Sequence, residues 1–194
     1  MTGSKLAETQ LAHTAHHDEL AGLADRRSFQ ERIDEHLVRA SRYGWRGALL
    51  AINLDGLKDV NDAAGDELLR SAARRMCGAL RGSDLLARFG GDEFVVLLPE
   101  ANHDEAATVA RKLVLLLSST EEEGTPSAGS VGVAVIEGPV RSEQLFVSAD
   151  RALYAAKHAG GNTFRIVPER KREPASAHSS TSGDQEPAPL ILAS

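Results

Sequence analysis

Leu85-Leu86-Ala87-Arg88-Phe89-Gly90-Gly91-Asp92-Glu93-Phe94-Val95-Val96-Leu97-Leu98-Pro99 is the stretch that decides the fold. Two apolar runs flank a Gly-Gly pair, which predicts two antiparallel strands joined by a tight turn. Working outward, Gly47–Leu54 is a short continuous apolar run and predicts a buried strand, and Ser130–Ile136 predicts another strand. Thr163–Val167 predicts a short closing strand. Between them, apolar residues recur at helical spacing. The stripes are Phe29, Ile33, Leu37 and Ala40, with Asp25 as N-cap; Leu68, Leu69, Ala72, Met76 and Leu80; Ala106, Val109, Leu113 and Leu116; and Leu145, Ala149, Leu153 and Ala156. The order is helix, strand, helix, hairpin, helix, strand, helix, strand. It implies an α/β (α+β sandwich) fold, a central mixed sheet flanked by helices.

The whole chain has 194 residues, 42% hydrophobic and 26% charged, which is globular composition with room for one domain and tails. A net charge of -6 argues against coating a nucleic acid polymer or an anionic membrane by bulk charge. A single cysteine, Cys77, excludes an internal disulfide and a Cys-based zinc cage. A cytoplasmic setting is expected. Cys77 itself is expected to be a small apolar core residue of its helix. No run is apolar for the roughly 18 residues that a membrane span needs. Residues 1–17 read as a polar N-terminal segment, 18–167 as the folded domain, and 168–194 as a disordered tail rich in Ser, Pro and charge. No sensor domain is expected ahead of Asp18. His13, His16 and His17 read as part of a solvated N-terminal segment.

Asp92 and Glu93 follow the Gly-Gly turn directly. Glycine lets the backbone approach a ligand closely, and adjacent carboxylates can hold Mg²⁺ or take a proton. Taken alone, a solvated acidic turn explains them as well. The surroundings add to that. Arg88-Phe89-Gly90-Gly91-Asp92-Glu93-Phe94 contains the signature of the GGDEF family, the diguanylate cyclases. Four further stretches resemble the family's motifs in the right order: Asp18–Arg27, Asn53–Asp62, Ser130–Ala134 and Ala149–Lys157.

The resemblance implies a palm-like sheet, as in polymerases and class III nucleotide cyclases. It implies condensation of two GTP to cyclic di-GMP with Mg²⁺ or Mn²⁺, each subunit of a homodimer holding one GTP. Carried over by position, Asp92, Glu93 and Lys58 match catalytic residues. Asp92, Asn53 and Leu54 match the metal site. Gly90, Gly91, Asn61, Asp66 and Lys157 match nucleotide-binding positions. Arg81 and Asp84 match an inhibitory site for cyclic di-GMP, with Arg111 or Lys112 placed to assist. A regulatory protein partner is also implied.

Three departures fall on the substrate site. Asn53 stands where the family has a metal-binding aspartate. An amide oxygen can coordinate Mg²⁺ but is neutral, so the site loses a charge. The segment Asn61-Asp62-Ala63-Ala64-Gly65-Asp66 is about four residues shorter than the family pattern and lacks its Gly-His pair. Gly161 replaces a phosphate-binding arginine, removing donors and a full charge. Two readings follow: a catalytically weakened or inactive domain that binds cyclic di-GMP at Arg81 and Asp84, and GTP as well, or an active cyclase.

Overall fold

The computed structural model describes residues 21–56, 62–119 and 128–167. The four stripes become α1 (Arg26–Tyr43), α2 (Asp62–Ala79), α3 (His103–Ser118) and α4 (Ser142–His158). The apolar runs become β1 (Gly47–Asp55), β2 (Leu85–Gly90), β3 (Glu93–Pro99), β4 (Ala128–Ile136) and β5 (Phe164–Val167). The strands form one sheet in the order β2-β3-β1-β4-β5. Every pairing is antiparallel except β4 with β5. None of the described helices is long and apolar enough to cross a membrane.

Helix ends are set by local chemistry. The Asp25 carboxylate accepts from the Ser28 N–H at 2.8 Å and starts α1. Asn102 and Glu105 form a reciprocal capping box at the start of α3.

Side chains alternate across the strands, so each buried strand feeds two cores. Leu50, Ile52 and Leu54 of β1, with Phe94, Val96, Leu98, Val131 and Val133, face α2 and α3. Leu49 and Ala51, with Val95, Leu97, Ala134 and Ile136, face α1 and α4. Gly132 explains how α4 lies so close to β4. A Cβ there would sit 2.1 Å from the Ala149 carbonyl oxygen and the Leu153 backbone nitrogen.

One expectation fails. Cys77 is exposed. The buried face of α2 runs through Leu69, Ala72, Ala73 and Met76, and Cys77 falls one step past it, on the solvent side. Its partial burial still pushes the thiol pKa up.

Candidate functional site

The α1/α4 face of the sheet is apolar along most of its length and turns polar at one end. Continuing the alternation of Leu49 and Ala51 brings Asn53 and Asp55 onto that face. Continuing Val95 and Leu97 backward brings Glu93 there, and Ser130 of β4 joins them. Asn53 pairs across the sheet with Glu93 on one side and Ser130 on the other. Asn53 is 5% exposed and Ser130 fully buried, while Glu93 is half-buried. The Arg26 end of α1 and the Lys157 end of α4 reach this same edge.

The hairpin tip sits beside it. Gly90 and Gly91 take φ values of 140° and 50°, where side chains are strained. Nothing lies within 4 Å of a Cβ built on either, so the need for glycine is conformational and the backbone is open to a ligand. Arg88 braces the turn, its Nε and Nη2 donating to the Gly91 carbonyl at 3.0 and 2.8 Å. The Leu54 N–H donates to the Asp92 carbonyl at 3.1 Å and ties the turn to the end of β1.

Electrostatics follow from this placement. Burial pushes the Glu93 pKa up, and the neighbouring Asp92 carboxylate adds to the shift. Lys157 and Arg26 act in the opposite direction and therefore lie within electrostatic reach of Glu93. Arg26 also stacks over the Phe89 ring, its guanidinium carbon 5.5 Å from the centroid.

No group of three or more His, Cys, Asp or Glu able to hold a metal occurs among the described residues. The donors on hand are the Asp92 and Glu93 carboxylates and the Asn53 amide. Mg²⁺ commonly takes one or two carboxylates and fills its octahedron with water and substrate phosphates. The residues thus fit a cation shared with a nucleotide, and do not form a preformed cage.

Asp66 lies half-buried on α2, which begins at Asp62, so the shortened segment leads straight into a helix. Lys58 and Asn61 lie outside the described residues, as do residues 1–17 with their histidines and the tail 168–194.

Arg81 and Asp84 occupy the turn between α2 and β2, at the other end of the hairpin strands. Leu85 pairs with Leu97 there, whereas Gly90 pairs with Glu93 at the tip. The turn closes on itself. The Arg81 N–H donates to Asp84 Oδ2 at 2.8 Å, and the Asp84 N–H donates to the Arg81 carbonyl at 3.0 Å. Arg81 is exposed. Lys112 Nζ donates to the Ala79 carbonyl at 2.7 Å, which brings a second cation near the turn. Arg111 lies over the Phe164 ring instead, 5.9 Å from its centroid.

Sequence reasoning gave no role to Asp55, Ser130 or Arg26. Asp55 had a signal, since it stands two residues from Asn53 on a strand. Arg26 had only its place in the Asp18–Arg27 stretch, because nothing local says that the start of α1 meets the start of β3.

The family model described as "Diguanylate cyclase, GGDEF domain" matches residues 15–163. Diguanylate cyclase DgcM of Escherichia coli K12 is 38% identical over 171 residues, covering 84% of this chain and 41% of its own length. The chain therefore spans under half of that curated relative. Diguanylate cyclase SiaD of Pseudomonas aeruginosa, solved with its activator SiaC, is 31% identical with a TM-score of 0.72, covering 85% of this chain and 66% of SiaD. The coiled coil and GGDEF domain of DgcB from Caulobacter crescentus, solved with c-di-GMP, is 25% identical with a TM-score of 0.75, covering 85% and 92%. Fold, signature turn and extent of match agree, and the chain belongs to the GGDEF domain family, that of the diguanylate cyclases.

Proposed function

We propose that this domain serves cyclic di-GMP signalling in the cytoplasm as a receptor. It binds cyclic di-GMP through Arg81 and Asp84 and GTP through the residual pocket at the hairpin turn, and its capacity to condense GTP is weakened or lost. The contrast between the two ends of the hairpin strands carries this reading. At one end, the position facing Glu93 holds the neutral Asn53, so a Mg²⁺–nucleotide complex meets one carboxylate fewer than the family pattern supplies. At the other end, the Asp84 carboxylate is oriented by the Arg81 N–H, and the Arg81 guanidinium faces solvent. A guanidinium can clamp a phosphate or stack on a base, and a carboxylate can accept from guanine N–H groups. The DgcB structure with c-di-GMP supports the ligand class. The SiaD–SiaC complex supports a regulatory protein as a further partner.

The second reading, an active cyclase, is favoured by the retained carboxylates. Glu93, with its pKa raised beside Asp92, can hold a proton near the reacting hydroxyl. Lys157 and Arg26 would offset phosphate charge, and Asp92 with the Asn53 amide would hold Mg²⁺, which polarises phosphate oxygens when bound. This reading requires a homodimer that brings two nucleotides together. Lys58, Asn61, Asp66 and Leu54 enter it as matched positions.

The test is incubation of the protein with GTP and Mg²⁺ or Mn²⁺, chromatography for cyclic di-GMP, and calorimetric titration with cyclic di-GMP. We expect no or slow product and binding that Arg81→Ala abolishes. Rapid product formation overturns the weakened-site reading. Absence of cyclic di-GMP binding overturns the receptor reading.

A further inference from the structure

Asp55 has no part in the metal, catalytic or product sites described above. It is the last residue of β1 and lies on the same strand face as Asn53, so it could have replaced the missing carboxylate there. Its surroundings commit it elsewhere. Asp55 Oδ2 accepts from Ser130 Oγ at 2.8 Å and from the Asn162 backbone N–H at 3.1 Å. A Cβ on Gly161 would stand 3.1 Å from that same oxygen and 3.6 Å from Ser130 Oγ, so the loop backbone lies against the carboxylate. Gly161 takes φ 71° and Asn162 φ 47°, a left-handed path that the carboxylate holds in place.

This loop is also the end of α4. The Gly160 N–H donates to the Lys157 carbonyl at 3.1 Å, and the Gly161 N–H donates to the Ala156 carbonyl at 3.2 Å. On the far side, the Val131 N–H donates to the Thr163 carbonyl at 2.9 Å, where β5 joins β4. One carboxylate therefore joins the end of β1, the start of β4 and the turn that closes α4 behind Lys157.

Resting on the GTP-binding part of the proposed function, we infer that Asp55 is a positioning residue of the phosphate end of the nucleotide pocket. It clamps the 160–162 turn and thereby sets Lys157 over the hairpin carboxylates, and it does not substitute for Asn53 as a metal ligand. The clamp also accounts for the fit of glycine at position 161. A side chain there meets both the positive φ and the Asp55 oxygen.

The experiment compares the full-length protein with Asp55→Ala and Asp55→Asn. Amide hydrogen exchange at Lys157–Thr163 is measured together with calorimetric affinity for GTP with Mg²⁺ and, separately, for cyclic di-GMP. Asp55→Ala should speed exchange at Asn162 and weaken GTP about tenfold or more, leaving cyclic di-GMP affinity unchanged. Asp55→Asn keeps an acceptor oxygen and should recover most of both losses. Unchanged exchange at Asn162 overturns the clamp. Faster exchange with unchanged GTP affinity overturns the positioning role. A parallel fall in both ligand affinities and in Tm makes Asp55 structural only. A wild-type protein that binds no GTP overturns this inference and the GTP part of the proposed function together, while the cyclic di-GMP titration judges the receptor reading on its own.

Discussion

Asn53→Asp restores the charge that the family pattern places opposite Glu93, and its consequence without metal can be worked from the structure. Position 53 is 5% exposed and directly faces Glu93 across β1 and β3. Directly opposed Cβ atoms in an antiparallel pair stand about 5 Å apart, so two carboxylates there sit roughly 6 Å from each other. At an effective dielectric of about 20, two unit charges at that distance repel by about 3 kcal/mol. Glu93 already has a raised pKa through burial and Asp92, so part of the repulsion is relieved by proton uptake. A loss of about 2–3 kcal/mol near pH 8 follows, or about 5–10 °C in Tm for a domain of this size.

Divalent cation reverses the sign. Three oxygen donors then converge on one charge, and binding at about 100 times Kd contributes roughly 2.7 kcal/mol. The assay is thermal denaturation of wild type and Asn53→Asp in EDTA and in excess Mg²⁺. The variant should melt well below wild type in EDTA and regain most of the difference with Mg²⁺, while wild type responds weakly. The same variant should raise turnover on GTP if metal charge is what limits the reaction. Equal melting in EDTA would refute the proposed closeness of positions 53 and 93. A deficit that Mg²⁺ leaves untouched would refute the shared cation site.

Three further outcomes follow from the same structure. Glu93→Gln should raise Tm by about 2–4 °C near pH 7–8 in metal-free buffer. A carboxylate with a raised folded pKa contributes stability at low pH that is lost as pH rises through that pKa, so the gain should vanish towards pH 4; a gain independent of pH would sink this account. Gly132→Ala places a methyl against the α4 backbone at Ala149 and Leu153 and should destabilise by roughly 3 kcal/mol or more, measured by urea unfolding; a loss under about 1 kcal/mol would contradict the packing. Burial pushes the His36 pKa down, while the Arg46 carbonyl at 3.2 Å opposes that, Arg39 adds to it and Glu100 counters it. A histidine held neutral loses stability as pH falls below its ordinary value near 6.5, so wild type should lose more Tm than His36→Gln between pH 7 and 5. Parallel curves would argue against it.

Most of the fold was legible because its signals are local. The continuous run Gly47–Leu54 needs no partner to announce a buried strand, and Asp25 caps α1 through a residue three positions on. The hairpin was legible for the same reason, since Gly90 and Gly91 supply positive φ wherever the chain places them. The candidate site was legible in part. Its signature residues stand together in sequence, whereas Arg26 and Lys157 reach Glu93 from elements that start and end far away. Cys77 shows the limit from the other side: it lies next to Met76 in the chain, but a helix turns about 100° per residue and carried it out of the core.

By itself, the sequence determined the element order, the hairpin, the apolar faces and the neutral amide at position 53. These depend on backbone periodicity and on the chemistry of single residues. Tertiary structure alone decided the strand order β2-β3-β1-β4-β5 and the meeting of Asn53, Asp55, Glu93 and Ser130 at one polar end of a sheet face. It alone placed Asp55 under the 160–162 turn, 107 residues away in the chain from the Asn162 N–H it accepts. Such contacts depend on register and helix direction across the whole sheet. Side-chain alternation fixes which residues share a face, but not which strand lies beside which.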